Sequence, residues 1–169
     1  MKIIENEICS EKTSVALGFF DGLHIAHKAV INKVLGKENS CVLTFLAEGF
    51  SDKTLISDNC KADMLKKMGV EYLRFLKFNE VKSMLPLEFV KTILKKELNA
   101  EYVCCGYNFK FGKDAVGTAT DLKALCESFN IKCEIIEELD FDSEAVSTTR
   151  IKKLLSDGAI KKANELLGY

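Results

Sequence analysis

Short apolar runs alternate along this chain with stretches whose apolar residues recur every three or four positions. The runs at 14–17, 41–45, 72–76, 102–105 and 132–136 are nearly continuous in apolar side chains, as expected of strands covered on both faces. Between them, 24–35, 59–68, 87–98 and 120–129 carry helical spacing; in the first of these Ala26, Val30 and Val34 share one face. Gly69 stands where glycine closes a helix, and Pro86, the only proline, where one begins. The chain closes with predicted helices at 147–155 and 160–167 around the turn Asp157-Gly158. Cys104 and Cys105 are adjacent in a predicted strand and therefore point to opposite faces. Strand–helix alternation of this kind predicts an α/β fold, a parallel and doubly wound sheet. Such sheets bind ligands beyond the carboxyl ends of their strands, near the switch in strand order.

Two connections exceed what a simple link needs. One, at 46–58, is polar, with Gly49, Ser51, Asp52, Ser57 and Asp58. The other, at 106–119, holds three glycines, three aromatics and two lysines. A length of 169 residues suits one domain, and 47% hydrophobic with 29% charged residues suits a water-soluble globular one. The formal net charge of −1 argues against a nucleic-acid binder. The absence of a long apolar run argues against a membrane span, and the polar start Met1-Lys2-Ile3-Ile4-Glu5 against a signal peptide. Seven cysteines without a C-x-x-C spacing are read as reduced thiols of a cytoplasmic protein, with no zinc site.

Candidate chemistry concentrates in three segments. In Gly18-Phe19-Phe20-Asp21-Gly22-Leu23-His24-Ile25-Ala26-His27 a strand runs through a glycine-flanked turn into a helix. The unpaired N–H groups at that helix start suit a phosphate, and His24 and His27, three apart, project from one helical face. The spacing is neither a Walker loop nor a dinucleotide fingerprint. The second segment, Gly106-Tyr107-Asn108-Phe109-Lys110-Phe111-Gly112-Lys113, follows a strand. If extended, it sets Tyr107, Phe109 and Phe111 on one face as a platform for a flat ligand, with Lys110 and Lys113 adding charge for a phosphate; the bland alternative is a loop capping the core. The third, Ser147-Thr148-Thr149-Arg150-Ile151-Lys152, places hydroxyls and cations at a helix start, where plain N-capping would also account for them.

Taken in order, these motifs resemble the FMN adenylyltransferase (FAD synthetase) module of prokaryotic bifunctional riboflavin kinase/FAD synthetases. Weaker agreement covers Cys41-Val42-Leu43-Thr44-Phe45, Leu87-Glu88-Phe89-Val90 and Ala163-Asn164-Glu165-Leu166-Leu167-Gly168. The resemblance implies a Rossmann-like sheet of the nucleotidyltransferase type over residues 1–169; the family continues into a riboflavin kinase domain, which this chain, ending at Tyr169, is expected to lack. It implies transfer of AMP from ATP to FMN with release of pyrophosphate and with Mg2+, whose ligands stay open. It implies that His24, His27, Asn108 and Arg150 are catalytic. Gly18, Phe19, Phe20, Asp21, Gly22, His24, His27, Ser147, Thr148, Thr149 and Arg150 would line ATP, and Tyr107, Asn108, Phe109, Phe111 and Lys113 would line FMN.

Three departures bear on activity. The family has His-x-Gly-His, whereas position 26 is Ala, and an added methyl there would crowd ATP. The family follows its Thr-Phe pair with a proline- and histidine-containing stretch, where this chain has Leu46-Ala47-Glu48-Gly49-Phe50. Thr148 and Lys152 stand for Ser and Arg, milder changes that keep hydroxyl and charge, though Lys does not replace a bidentate Arg. Two further readings remain: a catalytically weakened flavin- or nucleotide-binding module, and a transferase acting on another phosphorylated acceptor, against which the aromatic segment speaks.

Overall fold

Every side chain of Thr13–Leu17 (β2) is buried, and Ser40–Phe45 (β3) is buried almost throughout. Strands of that composition persist only inside a sheet covered on both faces. The computed structural model describes residues 1–5, 7–48 and 54–169. Six parallel strands, Lys2–Ile4 (β1), β2, β3, Tyr72–Leu76 (β4), Ala100–Gly106 (β5) and Lys132–Ile136 (β8), lie in the order β1-β4-β3-β2-β5-β8. The order runs one way from β2 through β3 to β4 and the other way through β5 to β8. The switch therefore falls between β2 and β5, as a doubly wound fold requires.

The two faces are built by alternation. On one, Ala16, Val42, Leu73 and Cys104 meet Val30, Ile31 and Val34 from and just beyond Ile25–Asn32 (α1), and Leu65 from Asp58–Lys67 (α2). On the other, Val15, Leu17, Leu43, Val103 and Cys105 meet Phe89 of Pro86–Phe89 (α4) and Leu122 and Cys126 of Ala119–Ser128 (α5). Cys104 and Cys105 thus face opposite ways, as their adjacency in a strand demands. Pro86 opens its helix, but the single helix expected over 87–98 is two pieces. From Val90–Glu97 the chain winds as a wider π-helix, ended by the Leu98 N–H to Ile93 O bond of 3.0 Å. All seven cysteines are free thiols.

Some elements were not expected from the sequence. They are edge strand β1, the one-turn helix Phe78–Val81 (α3), and two small hairpins, Lys110–Phe111 (β6) with Gly117–Thr118 (β7), and Asp140–Phe141 (β9) with Glu144–Ala145 (β10). Each is too short to show a period. Helices Thr148–Ser156 (α6) and Ile160–Leu167 (α7) form a separate apolar cluster around Ile151, Ala163, Leu166 and Leu167, onto which Ile25, Ala26 and Leu55 pack. Ala26 therefore leaves the face of Val30 and Val34 and joins the C-terminal helices. In the polar loop at 46–58, Gly49, Ser51 and Asp52 lie outside the described residues. Its ends are anchored: the Asp58 carboxylate accepts the Ala47 N–H at 3.0 Å, and Ser57 caps α2.

Candidate active site

The chain leaves β2 at the switch point through a turn with unusual backbone. Phe20, Gly22 and Leu23 all have positive φ, at 51°, 77° and 42°. Glycine adopts this region freely; Phe and Leu do so at a cost of about 1–2 kcal/mol. Such a turn persists when its surroundings over-determine it, and here they do. Asp21, 2% exposed, accepts the N–H groups of Leu55 and Ile56 through Oδ1 at 2.7 and 3.3 Å. Its Oδ2 forms an ion pair with Lys152 Nζ at 3.3 Å, and its carbonyl accepts from Thr148 Oγ1 at 3.2 Å. The Gly22 carbonyl accepts from the Tyr169 hydroxyl at 3.0 Å.

His24 is the N-cap of α1, just outside the helix. Its Nδ1 accepts the His27 N–H at 3.3 Å, an arrangement that satisfies one orphan donor of the first turn. The two rings stack with centroids 3.5 Å apart and 18° between planes, and Phe20 sets its ring edge-on against His27 at 5.4 Å. Burial pushes the His24 pKa down to about 4, against a smaller opposing pull from Asp21. Burial also pushes His27 well below the usual imidazole value, aided by the neighbouring His24 and Lys61. Both imidazoles are therefore neutral at pH 7. Since Nδ1 of His24 is an acceptor, its proton sits on Nε2, which makes that atom the donor. Nδ1 of His27 is buried without a hydrogen-bond partner.

The second segment leaves β5, the immediate neighbour of β2. A turn closed by the Phe109 N–H to Gly106 O bond of 3.0 Å interrupts the extended path that would have aligned three rings. Phe109 and Phe111 do stack, 5.9 Å apart, but Phe111 is 5% exposed and packs against Phe89. Phe111 is thus a core residue, and the expected row of three rings is not formed. Tyr107 stands apart, its hydroxyl bonded to the Glu138 carboxylate. Asn108, Lys110 and Lys113 are exposed beside it. Gly112, at φ 75°, backs onto Pro86 so closely that a Cβ would lie 2.9 Å from the ring.

The third segment docks against the first. Ser147 Oγ caps α6 by accepting the Arg150 N–H at 3.2 Å, so the capping role holds. Thr148 reaches Asp21 as described, and Thr149 is exposed. Arg150 turns to the β9–β10 hairpin, where Nη1 donates to the carbonyls of Phe141 and Glu144 at 2.9 and 2.7 Å. Its Nε pairs with the Glu144 carboxylate at 3.1 Å. Nη2, which is buried, has no hydrogen-bond partner among the described residues. Among the described residues no group of three or more His, Cys, Asp or Glu is placed to hold a metal ion.

The first and third segments dock on each other, and the second leaves the strand beside the first at the switch point, the place where parallel sheets take ligands. A profile of the family described as FAD synthetase matches residues 6–150. The chain belongs to the FAD synthetase family. Its relatives include the bifunctional riboflavin kinase/FMN adenylyltransferase of Bacillus subtilis, 31% identical over 93% of this chain and 54% of the relative. The protein of the same description from Listeria monocytogenes is 30% identical over 92% and 53%. The chain thus spans about half the length of these bifunctional relatives. A FAD synthetase of Listeria monocytogenes is 26% identical over 95% of this chain and 70% of its own. Among solved structures, one from Streptococcus pneumoniae described as a macrolide-efflux protein superposes with a TM-score of 0.81 at 29% identity, covering 99% of this chain and 60% of that one. Among the described residues of this FAD synthetase-family chain, no helix is long and apolar enough to cross a membrane.

Two residues of this family member escaped the sequence reading. Tyr169, through its bond to Gly22, and Lys61, 2% exposed beneath the turn, carry no local signal. Tyr169 reads as a terminal aromatic, and Lys61 as one of several charges on a polar helix.

Proposed function

We propose that the protein transfers AMP from ATP to FMN, forming FAD and pyrophosphate. The reading is carried by one observation: the loops after β2 and β5 leave adjacent strands at the switch point, and the first holds two neutral imidazoles at a helix start. An oxygen of the FMN phosphate attacks the α-phosphorus of ATP, and the bond from that phosphorus to the bridging oxygen of pyrophosphate breaks. The attacking oxygen is already anionic at pH 7, so no general base is needed. The protein's task is to align two anions and offset the charge that develops. Nε2–H of His24 and the N–H groups of α1 supply hydrogen bonds beside the His27 ring, while Lys110, Lys113 and the Arg150 guanidinium supply charge. Phe109 and Tyr107 offer ring surface to the flavin, beside Asn108. Magnesium would enter as a companion of the triphosphate, since among the described residues no group of three or more His, Cys, Asp or Glu is placed to hold it. Its free thiols suit a cytoplasmic enzyme.

The deciding experiment is a chromatographic assay of the purified protein with ATP, FMN and magnesium. FAD and pyrophosphate appearing in equal amounts is the expected result. A folded protein that binds ATP or FMN and makes no FAD would overturn it in favour of a binding module.

A further inference from the structure

Helix α2 buries two side chains, and beside Leu65 the other is a lysine. Lys61 is 2% exposed. Its Nζ donates to Phe19 O at 3.0 Å, to Phe45 O at 3.3 Å and to Thr44 Oγ1 at 3.5 Å, with Asp58 Oδ1 at 3.8 Å. The Phe19 and Phe75 rings lie 4.8 and 6.0 Å from the ammonium. A buried ammonium carries a desolvation cost of several kcal/mol, and a well-packed apolar residue commonly serves stability as well or better. The contacts of Lys61 show what it does instead. It ties together the carboxyl ends of β2 and β3, the edge from which the site is built.

The Phe19 carbonyl is the key contact, since it accepts from both Lys61 Nζ and Thr44 Oγ1, the latter at 2.8 Å. Phe19 precedes Phe20, the first positive-φ residue of the turn, and the Phe20 ring stands edge-on to His27. An unbroken series of contacts therefore runs from the ammonium through the Phe19 peptide and the Phe20 ring to the His27 imidazole. We infer that Lys61 is a positioning residue for adenylyl transfer, holding His27 in place by fixing the Phe19–Phe20 backbone from below. This inference rests on the proposed transferase reading only for its kinetic consequence; the placement of His27 is separate from it.

The test is a double-mutant cycle with Lys61→Met and His27→Ala, read as kcat and KM for ATP and FMN. Lys61→Met is expected to lower kcat tenfold or more while both KM values stay within threefold. In the His27→Ala background the same substitution is expected to change kcat by less than twofold, because a residue that acts through His27 has nothing left to position. A full kcat loss in both backgrounds, or a loss confined to KM, would overturn the inference. A second readout needs no turnover. The chain has two histidines, so the imidazole NMR spectrum is simple. The groups around His27 are His24, Phe20 and Lys61, with Asp21, Asp58 and Lys152 behind them. Lys61→Met should shift the His27 ring resonances and move their titration to higher pH, since a neighbouring positive charge is gone. Unchanged His27 resonances would overturn the positioning role even in a protein that makes no FAD, whereas absent FAD with shifted resonances would count against the transferase reading alone. If Lys61→Met does not fold, Thr44→Val removes the other donor to the same carbonyl; it should perturb His27 in the ring spectrum and lose kcat only when His27 is present.

Discussion

The two histidines differ in what their ring atoms are free to do. Nδ1 of His24 is engaged in capping α1, whereas Nδ1 of His27 has no hydrogen-bond partner among the described residues. Truncating His27 should therefore leave the fold standing and remove a transition-state donor: His27→Ala is expected to lower adenylyl transfer by roughly 100-fold or more, measured as kcat with circular dichroism unchanged. The neutral state of His24 also has a cost at low pH. Its pKa is about 4 in the folded protein against 6.5 unfolded, so between those values the unfolded chain binds the extra proton. Stability is full above pH 6.5 and falls as pH drops toward 4, by roughly 3 kcal/mol for this group. Urea denaturation at pH 7 and pH 4.5 checks this. His24→Asn, which keeps a capping side chain, should flatten the dependence. Ala26 packs with the C-terminal helices, so its methyl has a structural use. Ala26→Gly should destabilise by about 0.5–1 kcal/mol, with ATP affinity changed less than twofold in a binding titration.

At the scale of elements, the five runs expected as strands are all strands, because near-continuous burial imposes a composition that shows in sequence. Lys132–Ile136 and Tyr72–Leu76 even keep their ends. Strand β1 was not legible, since Lys2, Ile3 and Ile4 are ordered by pairing with β4, at Tyr72, Leu73 and Arg74. The π-helix over Val90–Glu97 was hidden because helical spacing of three to four does not report which carbonyl each N–H reaches. Of the candidate site, the three segments were legible as motifs, while the docking of the third on the first was not. The platform of three rings failed at Phe111, which tertiary packing claims for the core. Gly112 shows how this loop is held: its φ of 75° and ψ of 176° belong to glycine alone, and Pro86 presses on it. Gly112→Ala should lower stability by about 1–3 kcal/mol and loosen the loop, read as a fall in melting temperature and weaker FMN binding.

On the scale of the whole molecule, the C-terminal helices are braces for the N-terminal turn. Lys28 Nζ reaches the carbonyls of Leu167 and Gly168, each at 3.1 Å, where the negative end of α7 favours a cation. Lys152 meets Asp21 from α6. Lys152→Met leaves the buried Asp21 carboxylate without its cation. Because Lys152 is partly exposed, the loss should be modest, about 1 kcal/mol, and visible as faster amide exchange in α6 and α7 with the sheet still protected. Contacts spanning 127 and 147 residues hold the turn, and that separation has a consequence for how the protein is made. A ribosome delivers residues 18–27 early and residues 148–169 long afterwards. Through most of its synthesis the turn is therefore costly backbone without its braces, open to proteases and chaperones, and it gains the last of them only after Tyr169 has cleared the exit tunnel.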